Sequence, residues 1–423
     1  MTELISVNQA LLQILSEFDT LPAEPTEISE ALYRTLAEDI HSPFDLPLFS
    51  NSSVDGFAVC ASKDLRAGTR GNFTLPLVGD IPAGMQTPLH LAKGETVRIM
   101  TGAPLPEGAD AVLPVEDTNY PYRDASAPLP AEVIFYRFPM PGENVRPRGQ
   151  DVQKGQKLLA KGRKLQPQDI GMLATLGLDR IPVIRKPKIA LFSSGDELLM
   201  PGIPPQPGKI FDANSYSLGL LARREGAEVI RLGVARDEYQ AVLERFEMAK
   251  NAGADLILTS AGVSVGAFDF VRQVLEEHGQ VKLWRVNMRP GKPLTFGSYE
   301  GIPVISLPGN PVSAFVGFLV FVRPVIAKLS GLQPTPPVTL PVILEHPVLS
   351  DGRESYLRAI VYKSQEGFIA RLTGHQGSGN LYSLVQANAL LIIPAGVKSL
   401  PAGETVQAWL LDDEPLPVME KPE

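Results

Sequence analysis

Residues 189–197 read Ile-Ala-Leu-Phe-Ser-Ser-Gly-Asp-Glu, an apolar run that ends in a polar, glycine-containing loop. The same order recurs at residues 256–266 and 304–311, and two of the three loops run directly into a helical pattern. Backbone N–H groups at a strand-to-helix corner, together with the positive end of the helix, bind phosphate groups. We therefore expect a site for a phosphorylated or nucleotide-linked ligand at the ends of these strands.

Strands and helices alternate from residue 188 to residue 329. This alternation is typical of a doubly wound parallel sheet with helices on both faces. The predicted strands are 189–192, 229–234, 256–259, 283–286 and 304–307. The predicted helices are 215–224, 239–251, 270–278 and 312–329, the last one kinked at Pro324.

Length, charge and cysteine content limit the class of protein. A chain of 423 residues exceeds what one hydrophobic core usually supports, so several domains are expected. The formal net charge of −8 argues against a nucleic-acid partner. The single cysteine, Cys60, excludes an intrachain disulfide and a thiolate metal cluster. No signal peptide is visible and the apolar stretch 312–322 is too short to cross a bilayer, so we expect a cytoplasmic protein without a membrane partner.

The segments before the central unit change their pattern twice. Residues 6–18 and 28–40 have helical period, and Ser6 is placed as an N-cap. Short strands between Gly- and Pro-containing turns are then predicted at 73–77, 95–99, 111–115 and 132–136. Pro114 marks the third of them as an edge strand or a shorter one. A further helix is predicted at 168–176.

The segment after the central unit returns to short strands. A Pro-rich linker at 334–337 precedes predicted strands at 339–344, 356–362, 368–372, 390–393 and 406–411, which suggest a small β-barrel or sandwich. The acidic, Pro-containing tail 412–423 is expected to be disordered.

These patterns predict an α/β multidomain fold. A central doubly wound αβα domain occupies 182–330, and an N-terminal domain, which the family resemblance described below implies to be elongated, combines 1–50 with 139–181. A small β domain, 51–138, is inserted into the N-terminal one. A barrel-like β domain covers 338–411 and the tail covers 412–423.

The loop Ser260-Ala261-Gly262-Val263-Ser264-Val265-Gly266 follows a predicted buried strand. Its glycines allow the backbone to approach a ligand closely, and its serines add hydroxyl donors. A tight turn that needs positive φ would have the same composition, and the residues alone do not separate the two interpretations.

Acidic residues fall near the ends of predicted strands or the starts of predicted helices. Any one of them could be a helix cap. Carboxylates grouped beside a phosphate site usually hold Mg²⁺, which prefers oxygen ligands and shares them with substrate. These acids are Asp196, Glu197, Asp212, Asp237 and Asp269. Glu197 and Asp269 lie within or beside the glycine-containing loops and are the strongest candidates.

The loop Arg289-Pro290-Gly291-Lys292-Pro293 places two cations on proline-restricted backbone, an arrangement suited to holding an oxyanion. A solvated basic turn is the alternative. Arg353, Arg358 and Ser378 could extend such a pocket. The five histidines show no spacing typical of zinc ligands, and no Gly-x-Ser-x-Gly nucleophile elbow occurs.

Further motifs occur in a fixed order between about residues 4 and 411. They are Ser53-Val54-Asp55-Gly56-Phe57-Ala58, Gly79-Asp80-Ile81-Pro82-Ala83-Gly84, Ile99-Met100-Thr101-Gly102-Ala103, Glu143-Asn144-Val145-Arg146, Gly149-Gln150-Asp151, Ser194-Gly195-Asp196-Glu197-Leu198, Gly262-Val263-Ser264-Val265-Gly266, Leu307-Pro308-Gly309-Asn310-Pro311 and His375-Gln376-Gly377-Ser378. With the Arg289–Pro293 loop, this series resembles the MoeA-type molybdopterin molybdenumtransferases, which are related to the E domains of the plant molybdenum insertase and of gephyrin. One departure is Ala261, where the family usually has a glycine; alanine tolerates positive φ poorly.

The resemblance implies an enzyme of molybdenum-cofactor biosynthesis. Such enzymes take molybdate and adenylylated molybdopterin, insert molybdenum at the dithiolene, and release AMP in a step that depends on Mg²⁺ or Zn²⁺. It also implies a homodimer with the active cleft at the subunit interface, and molybdopterin adenylyltransferase as the pathway partner. The αβα domain is expected to resemble that partner, which is MogA-like.

Carried over motif by motif, the resemblance assigns roles to individual residues. The implied catalytic residues are Asp55, Thr101, Asp151, Glu197, Asp237 and Asp269. The implied substrate-binding residues are Ser194, Gly195, Gly262, Ser264, Gly266, Pro308, Gly309, Asn310 and Pro311. The implied molybdate-binding residues are Arg289, Lys292, Pro293, Arg353 and Ser378, and the implied metal ligands are Glu197 and Asp269.

Two rival interpretations remain at this point. A molybdopterin adenylyltransferase would share the αβα domain but is far shorter, so the β segments on both sides count against it. A non-catalytic scaffold or binding protein, as in the receptor-clustering role of gephyrin, would keep the fold and lose the site acids. Asp55, Glu197 and Asp269 are all present, which favours the enzyme.

Overall fold

The computed structural model describes residues 4–85, 88–120, 128–260, 270–365, 367–412 and 415–418. The chain forms two compact units. Unit 1 comprises residues 1–37, 162–170 and 180–423, and unit 2 comprises residues 38–161 and 171–179. The finer division into four domains stays a prediction.

The first helix of unit 1, α1 (Val7–Leu15), begins as expected from the sequence. Ser6 Oγ accepts a hydrogen bond from the Gln9 N–H at 3.2 Å, and Gln9 Oε1 accepts one from the Ser6 N–H at 3.1 Å. This capping box satisfies two N–H groups that the helix leaves free. Val7, Ala10 and Ile14 then bury one face.

The predicted helix at 28–40 is wrong. Only a 3₁₀ turn, Ile28–Glu30, forms there, and Tyr33 has φ +62°, which ends any helix. The segment is extended instead, since Leu36 forms a β-bridge with Val183. Backbone pairing to distant parts of the chain overrides the local helical period.

Unit 2 is built on a five-stranded sheet. Its strands are β1 (Gly56–Val59), β2 (Arg70–Ile81), β3 (Thr96–Ile99), β4 (Ala111–Pro114) and β5 (Glu132–Arg137), in the order β4-β1-β3-β2-β5. All four strands expected in this region are confirmed. Pro114 ends the edge strand β4, where a missing N–H breaks no ladder bond. Phe57, Phe135 and Phe138 fill one side of the sheet.

The central sheet of unit 1 has six strands. They are β6 (Lys188–Ser194), β7 (Glu228–Ala235), β8 (Leu256–Ser260), β9 (Gly279–Arg285), β10 (Pro293–Tyr299) and β11 (Ile302–Leu307), in the order β7-β6-β8-β11-β10-β9. The αβα architecture is confirmed, but the sheet is mixed. The strands β7, β6, β8 and β11 are parallel, whereas β10 pairs antiparallel with both β11 and β9.

Strand β10 was missed because the sequence was interpreted as one loop between two parallel strands. Glu300 (φ +44°) and Gly301 (φ +87°) form a two-residue hairpin turn between β10 and β11. Two consecutive residues with positive φ give the turn whose twist matches paired antiparallel strands. The x-Gly dipeptide between two β-prone runs was the available signal.

Helices cover both faces of the central sheet. They include α3 (Asn214–Arg224), α4 (Tyr239–Asn251) and α5 (Phe270–His278). These three helices and α2 (Pro167–Thr175), which precedes the sheet in the chain, all lie close to their predicted bounds. Leu191 packs with α1 and α3, whereas Ala190 and Phe192 pack with α4 and α5. This alternation along β6 confirms that both faces are buried.

The last helix of the sheet region runs through residues 311–329 as α6 (Pro311–Gly317), a π-helical turn (Phe318–Val322) and α7 (Arg323–Leu329). The π turn lies where a kink was predicted, and it precedes Pro324, whose missing N–H interrupts the α-helical ladder. By length and composition the helical run 311–329 could cross a membrane, whereas the sequence had suggested that the apolar stretch 312–322 is too short. In the fold, 78% of its 18-residue apolar stretch is buried.

The last part of unit 1 is a closed β-barrel. Its strands are β12 (Thr339–Leu344), β13 (Glu354–Ser364), β14 (Gly367–Leu372), β15 (Ala389–Ile393) and β16 (Thr405–Leu410), closed by the pairing of β13 with β15. A short helix, α8 (Leu381–Val385), lies between β14 and β15 in the chain. The expectation of a disordered tail is corrected at one point, because Lys363 N–H donates to Pro417 O at 2.9 Å.

Short pairings complete the described chain. They are Ala23–Glu27 with Arg180–Ile184, Ile40–His41 with Lys157–Leu159, Asn51–Ser52 with Val145–Arg146, Leu198–Leu199 with Ile210–Phe211, Val348–Leu349 with Ser399–Leu400, and Met288–Arg289 with β13. Val115–Asp117 is a second 3₁₀ turn.

Candidate functional site

A cavity of about 520 Å³ lies in unit 1 at the carboxyl ends of β6, β8 and β11. Ligands of open α/β sheets bind at this edge of the strands, as the sequence predicted. Its lining residues are Ser193, Ser194, Glu197, Leu198, Ile210, Phe211, Asp212, Ala213, Asn214, Ser260, Gly309, Asn310, Pro311 and Gly379. We call it the strand-end cavity.

Asn214, the first residue of α3, joins two strand ends beneath this cavity. Its Nδ2 donates to Ser260 Oγ at 2.6 Å, at the end of β8, and to Gly309 O at 2.7 Å, two residues after β11. Asp212 does the same for the third strand, since its Oδ1 accepts from Ser193 Oγ at 3.1 Å and from the Ser215 N–H at 3.0 Å. The loop before α3 therefore fixes the floor of the cavity.

Two acceptor atoms of this floor are buried without a partner. Asp212 Oδ2 and Asn214 Oδ1 make no hydrogen bond to any residue that the structure describes, and their residues are only 2% and 7% exposed. Leaving a buried acceptor unsatisfied costs about 1–3 kcal/mol. A ligand that presents N–H or O–H donors to this floor would remove that cost.

The acidic edge of the cavity is held by backbone contacts between two loops. Asp196 N–H donates to Asp237 Oδ2 and Asp237 N–H donates to Asp196 Oδ1, both at 3.3 Å. Burial raises the pKa of Asp237, and the nearby Asp196 and Glu197 raise it further. Gly195 has φ +154°, a backbone conformation that residues with a side chain rarely adopt, and it lies directly beside the Glu197 carboxylate.

These carboxylates are the described candidates for a metal. Across the described ranges, no group of three or more His, Cys, Asp or Glu side chains converges as a ligand set. Mg²⁺ usually takes one or two carboxylates and completes its shell with water and substrate phosphates. Asp196 and Asp237 are held together by their backbone N–H contacts, and Glu197 lies close to them, so this group of carboxylates fits a cation. Asp269, the second predicted ligand, lies outside the described residues.

The predicted oxyanion cations lie where the central sheet meets the barrel. Met288–Arg289 adds to β13 by parallel pairing, which places Arg289 beside Ser355. Arg289 Nη1 lies 3.7 Å from Asp351 Oδ2, and Arg353 binds the same carboxylate through Nε and Nη2. The Arg353 hydrogen bond holds the pKa of Asp351 below its ordinary value. Both arginines therefore already have an anionic partner.

A buried arginine supports the neighbouring loop 374–379. Arg358 is fully buried, and it donates from Nη2 to Gly377 O at 3.0 Å and from Nε to Ser383 Oγ at 3.1 Å. Burial, and next the charge of Arg289, lowers its pKa to about 10. The loop then reaches the strand-end cavity, because Val312 N–H donates to Ser378 O at 3.0 Å.

The remaining predicted residues of unit 1 have structural contacts in the same region. Lys292 O accepts from Val286 N–H at 2.9 Å and Pro293 begins β10. Pro308 follows β11 directly, and Pro311 is the first residue of α6. Gly262, Ser264 and Gly266 lie outside the described residues.

Three predicted catalytic residues belong to unit 2. Thr101 donates to Asp55 Oδ1 at 2.7 Å from both its N–H and its Oγ1, so these two form a pair. Asp151 accepts from Arg146 Nη2 at 2.5 Å. Their part in one site with the unit 1 residues stays a prediction.

Sequence reasoning placed Ser193 and Ser260 in candidate ligand loops but assigned no role to Asn214, which organises the cavity floor, or to Gly379. Asn214, Ser193 and Ser260 line it, as does Gly379 from the barrel side. Asp212 was a candidate acid but received no role. A polar pair, Asp212 and Asn214, directly before a helical pattern was the available signal, and it is also the ordinary signature of a helix cap.

Three family models match successive parts of the chain. They are the MoeA N-terminal region (domain I and II) over residues 5–177, the probable molybdopterin binding domain over 190–328, and the MoeA C-terminal region (domain IV) over 341–411. Together they cover most of the sequence.

Relatives match along nearly the whole chain. The molybdopterin molybdenumtransferase of Haemophilus influenzae is 37% identical over 408 residues, which are 95% of this chain and 98% of that protein. The one of Bacillus subtilis is 33% identical and covers 97% and 95%. The crystal structure of the molybdopterin biosynthesis MoeA protein from Pyrococcus horikoshii has a TM-score of 0.82 at 33% identity, covering 97% of this chain and 100% of that one. The chain belongs to the MoeA family.

Proposed function

We propose that this protein is a molybdopterin molybdenumtransferase. It transfers molybdenum from molybdate to the dithiolene of adenylylated molybdopterin and releases AMP. The observation that carries the proposal is the strand-end cavity, with its buried unpaired acceptors beside an acidic edge and a cationic loop. The names of relatives at 33–37% identity support the same reaction.

The cavity floor suits the ring system of the substrate. A pterin carries N–H donors on one edge, and Asp212 Oδ2 and Asn214 Oδ1 are acceptors without partners in the described chain. Ile210 and Phe211 are 59% and 43% exposed at the cavity and provide apolar surface for a flat ring. The loop after β6, with Ser194 and Gly195, and the loop after β11, with Gly309, would position the phosphates.

Molybdate would bind at the cationic loops. Arg289, Lys292 and Arg353 supply positive charge, and Ser378 supplies a hydroxyl donor. Because Asp351 already occupies two of these arginines, the oxyanion has to compete with it. The buried Arg358 adds positive charge behind the same loops.

Mg²⁺ or Zn²⁺ would be held by Glu197 and Asp269, and Asp237 lies close to Glu197. The ion would neutralise charge on the phosphoanhydride as AMP leaves. Burial and the neighbouring Asp196 and Glu197 raise the pKa of Asp237, so a cation bound beside it would relieve this carboxylate.

The wider arrangement follows from the same proposal. The protein acts as a homodimer in the cytoplasm, with the active cleft at the subunit interface, and Asp55, Thr101 and Asp151 of unit 2 contribute to it. The four-domain division made from the sequence applies to that dimer. The substrate is supplied by molybdopterin adenylyltransferase.

Purified protein incubated with adenylylated molybdopterin, Mg²⁺ and molybdate tests the proposal. AMP release that requires molybdate, with molybdenum recovered in the product, is expected. Glu197→Ala should abolish it, whereas Glu276→Ala, on the outer face of α5, should not. Absence of molybdate-dependent AMP release would contradict the enzyme and favour a scaffold role.

A further inference from the structure

A second cleft lies at the other end of α3. Its volume is about 650 Å³, and the last turn of α3, the 318–329 helical segment and strand β16 form its walls. Since α3 has 11 residues, its two ends lie about 16 Å apart at 1.5 Å per residue, so this cleft is separate from the strand-end cavity. We call it the Trp409 cleft, and its principal residues are Lys164, Arg224, Leu319, Arg323, Trp409 and Leu411.

Positive charge predominates in the Trp409 cleft. Lys164, Arg224 and Arg323 line it, against Glu225 and Asp412. Glu225 Oε1 lies 3.7 Å from Arg224 Nε, and the same carboxylate also interacts electrostatically with Arg323. The Glu225 carboxylate is thus shared between the guanidinium groups of Arg224 and Arg323.

The positive surface continues into an adjoining pocket of about 180 Å³, which shares Lys164 and Arg224 with the cleft. Lys186 and Arg223 line this pocket, and neither makes an ion pair with a residue of the described chain. The concentration of cations contrasts with the net charge of −8 for the whole chain. Such a surface attracts anions.

Helix stabilisation explains part of this arrangement. Arg223 and Arg224 end α3, where cations offset the negative end of the helix dipole. Arg323 has no such explanation, since it lies inside the helical run 311–329. Its guanidinium carbon lies 4.9 Å from the centroid of the Trp409 ring, and burial lowers its pKa. No carboxylate among the described residues lies within ion-pair distance of it.

We propose that the Trp409 cleft binds a small organic phosphate, a phosphomonoester with an apolar or aromatic body. Guanidinium groups match phosphate oxygens in charge and in planar geometry. The volume exceeds what a bare phosphate ion needs, and Leu319, Trp409 and Leu411 form an apolar wall for the rest of the molecule. The bound phosphate would thereby supply Arg323 with an anionic partner that no described residue provides within ion-pair distance.

Phenyl phosphate is the probe, and Trp409 is the reporter. The chain has two tryptophans, so Trp284→Phe leaves Trp409 as the only one. In that background, phenyl phosphate should change the Trp409 fluorescence saturably. Arg323→Gln should weaken binding at least about tenfold, as expected for the loss of a charge-assisted contact. Lys164→Gln should weaken it less.

Arg371→Gln, on strand β14 of the same barrel, is the matched control and should bind as the parent does. Sodium chloride at equal ionic strength and phenol are the ligand controls. Titration calorimetry of phenyl phosphate with the wild-type chain and with Arg323→Gln gives the same comparison if Trp284→Phe does not fold. No saturable binding, equal binding by Arg323→Gln, or an equal response to chloride would each overturn the proposal. Inorganic phosphate bound as tightly as phenyl phosphate would overturn the organic class. None of these outcomes depends on the transferase reaction.

Discussion

The strand-end cavity and the cationic loops that border it have opposite hydrogen-bonding states. In the cavity, Asp212 Oδ2 and Asn214 Oδ1 are buried and unpaired within the described chain. At the loops, Arg289 and Arg353 are both bound to Asp351. The strand-end cavity can therefore accept hydrogen bonds from a ligand without losing any of its own. The cationic loops have to exchange the Asp351 carboxylate for an external anion.

This difference in hydrogen-bonding state suggests different roles for the two regions: the cavity provides affinity for the pterin ring, and the loops select the oxyanion. Unpaired acceptors on a rigid floor gain their full interaction when the ring binds. A cation that leaves an internal carboxylate for a bound oxyanion gains only the difference between its two interaction free energies. The ring is therefore expected to provide most of the affinity, and the loops are expected to discriminate among oxyanions.

Asn214→Leu is expected to have the largest effect. It removes the hydrogen bonds to Ser260 Oγ and Gly309 O, so two strand ends lose their common anchor. Activity should fall by about 100-fold, the usual result of misplacing substrate by about 1 Å. Unfolding free energy should fall by roughly 2–3 kcal/mol for two buried hydrogen bonds. Molybdate-dependent AMP release and urea unfolding measure the two effects.

Ser217→Ala is the control for that variant, because the Ser217 hydroxyl donates only to the backbone O of Asn214 among the described residues. It should leave both quantities nearly unchanged. Full activity of Asn214→Leu would show that the cavity floor does not hold the substrate.

Asp351→Asn is expected to have an intermediate effect of the opposite sign. Removing the shared carboxylate releases Arg289 and Arg353 for molybdate, so the KM for molybdate should fall about three- to tenfold. Steady-state AMP release at varied molybdate measures it, with the KM for the pterin substrate as the internal control. A raised KM for molybdate would mean that Asp351 orients the arginines rather than competing for them.

Asp237→Asn is expected to have the smallest effect and a distinct pH dependence. Because burial raises the pKa of Asp237, its ionised form destabilises the fold above that pKa. The variant should be more stable than the wild type at pH 7, by less than about 1 kcal/mol for a part-exposed group. The gain should disappear as the pH falls below the ordinary Asp value. Thermal unfolding across pH measures it, and Mg²⁺ should reduce the gain at pH 7 if the ion neutralises this cluster.

Sequence reasoning located the strand ends well because buried parallel strands are continuous apolar runs. β6, β8 and β11 were found, and with them Ser194, Glu197, Gly309 and Asn310. The sequence could not predict the hydrogen-bond partners of Asp212 and Asn214, because a helix cap and the floor of a binding cavity use the same residue types. It also could not show that Asp351 pairs with Arg289, because that contact depends on a strand pairing between distant segments.

The wrong helix at 28–40 and the missed strand β10 have related causes. In both, a local period was interpreted without its pairing partner. Leu36 is held by Val183, and β10 by β9 and β11. Positive φ at Tyr33 and at Glu300 marks the two places where the chain turns toward those partners. Non-glycine residues give little sequence signal for that conformation.

The pairing of Met288–Arg289 with the start of β13 also has a consequence for local unfolding. The barrel cannot separate from the central sheet without breaking the backbone hydrogen bonds that carry Arg289. Opening of this seam would disperse the oxyanion loops and would expose Tyr356, Leu390 and Trp409, which pack in the same hydrophobic cluster as the central sheet. Mild heating or denaturant should then abolish activity before the global transition, and amide exchange at Ser355 would report the seam opening.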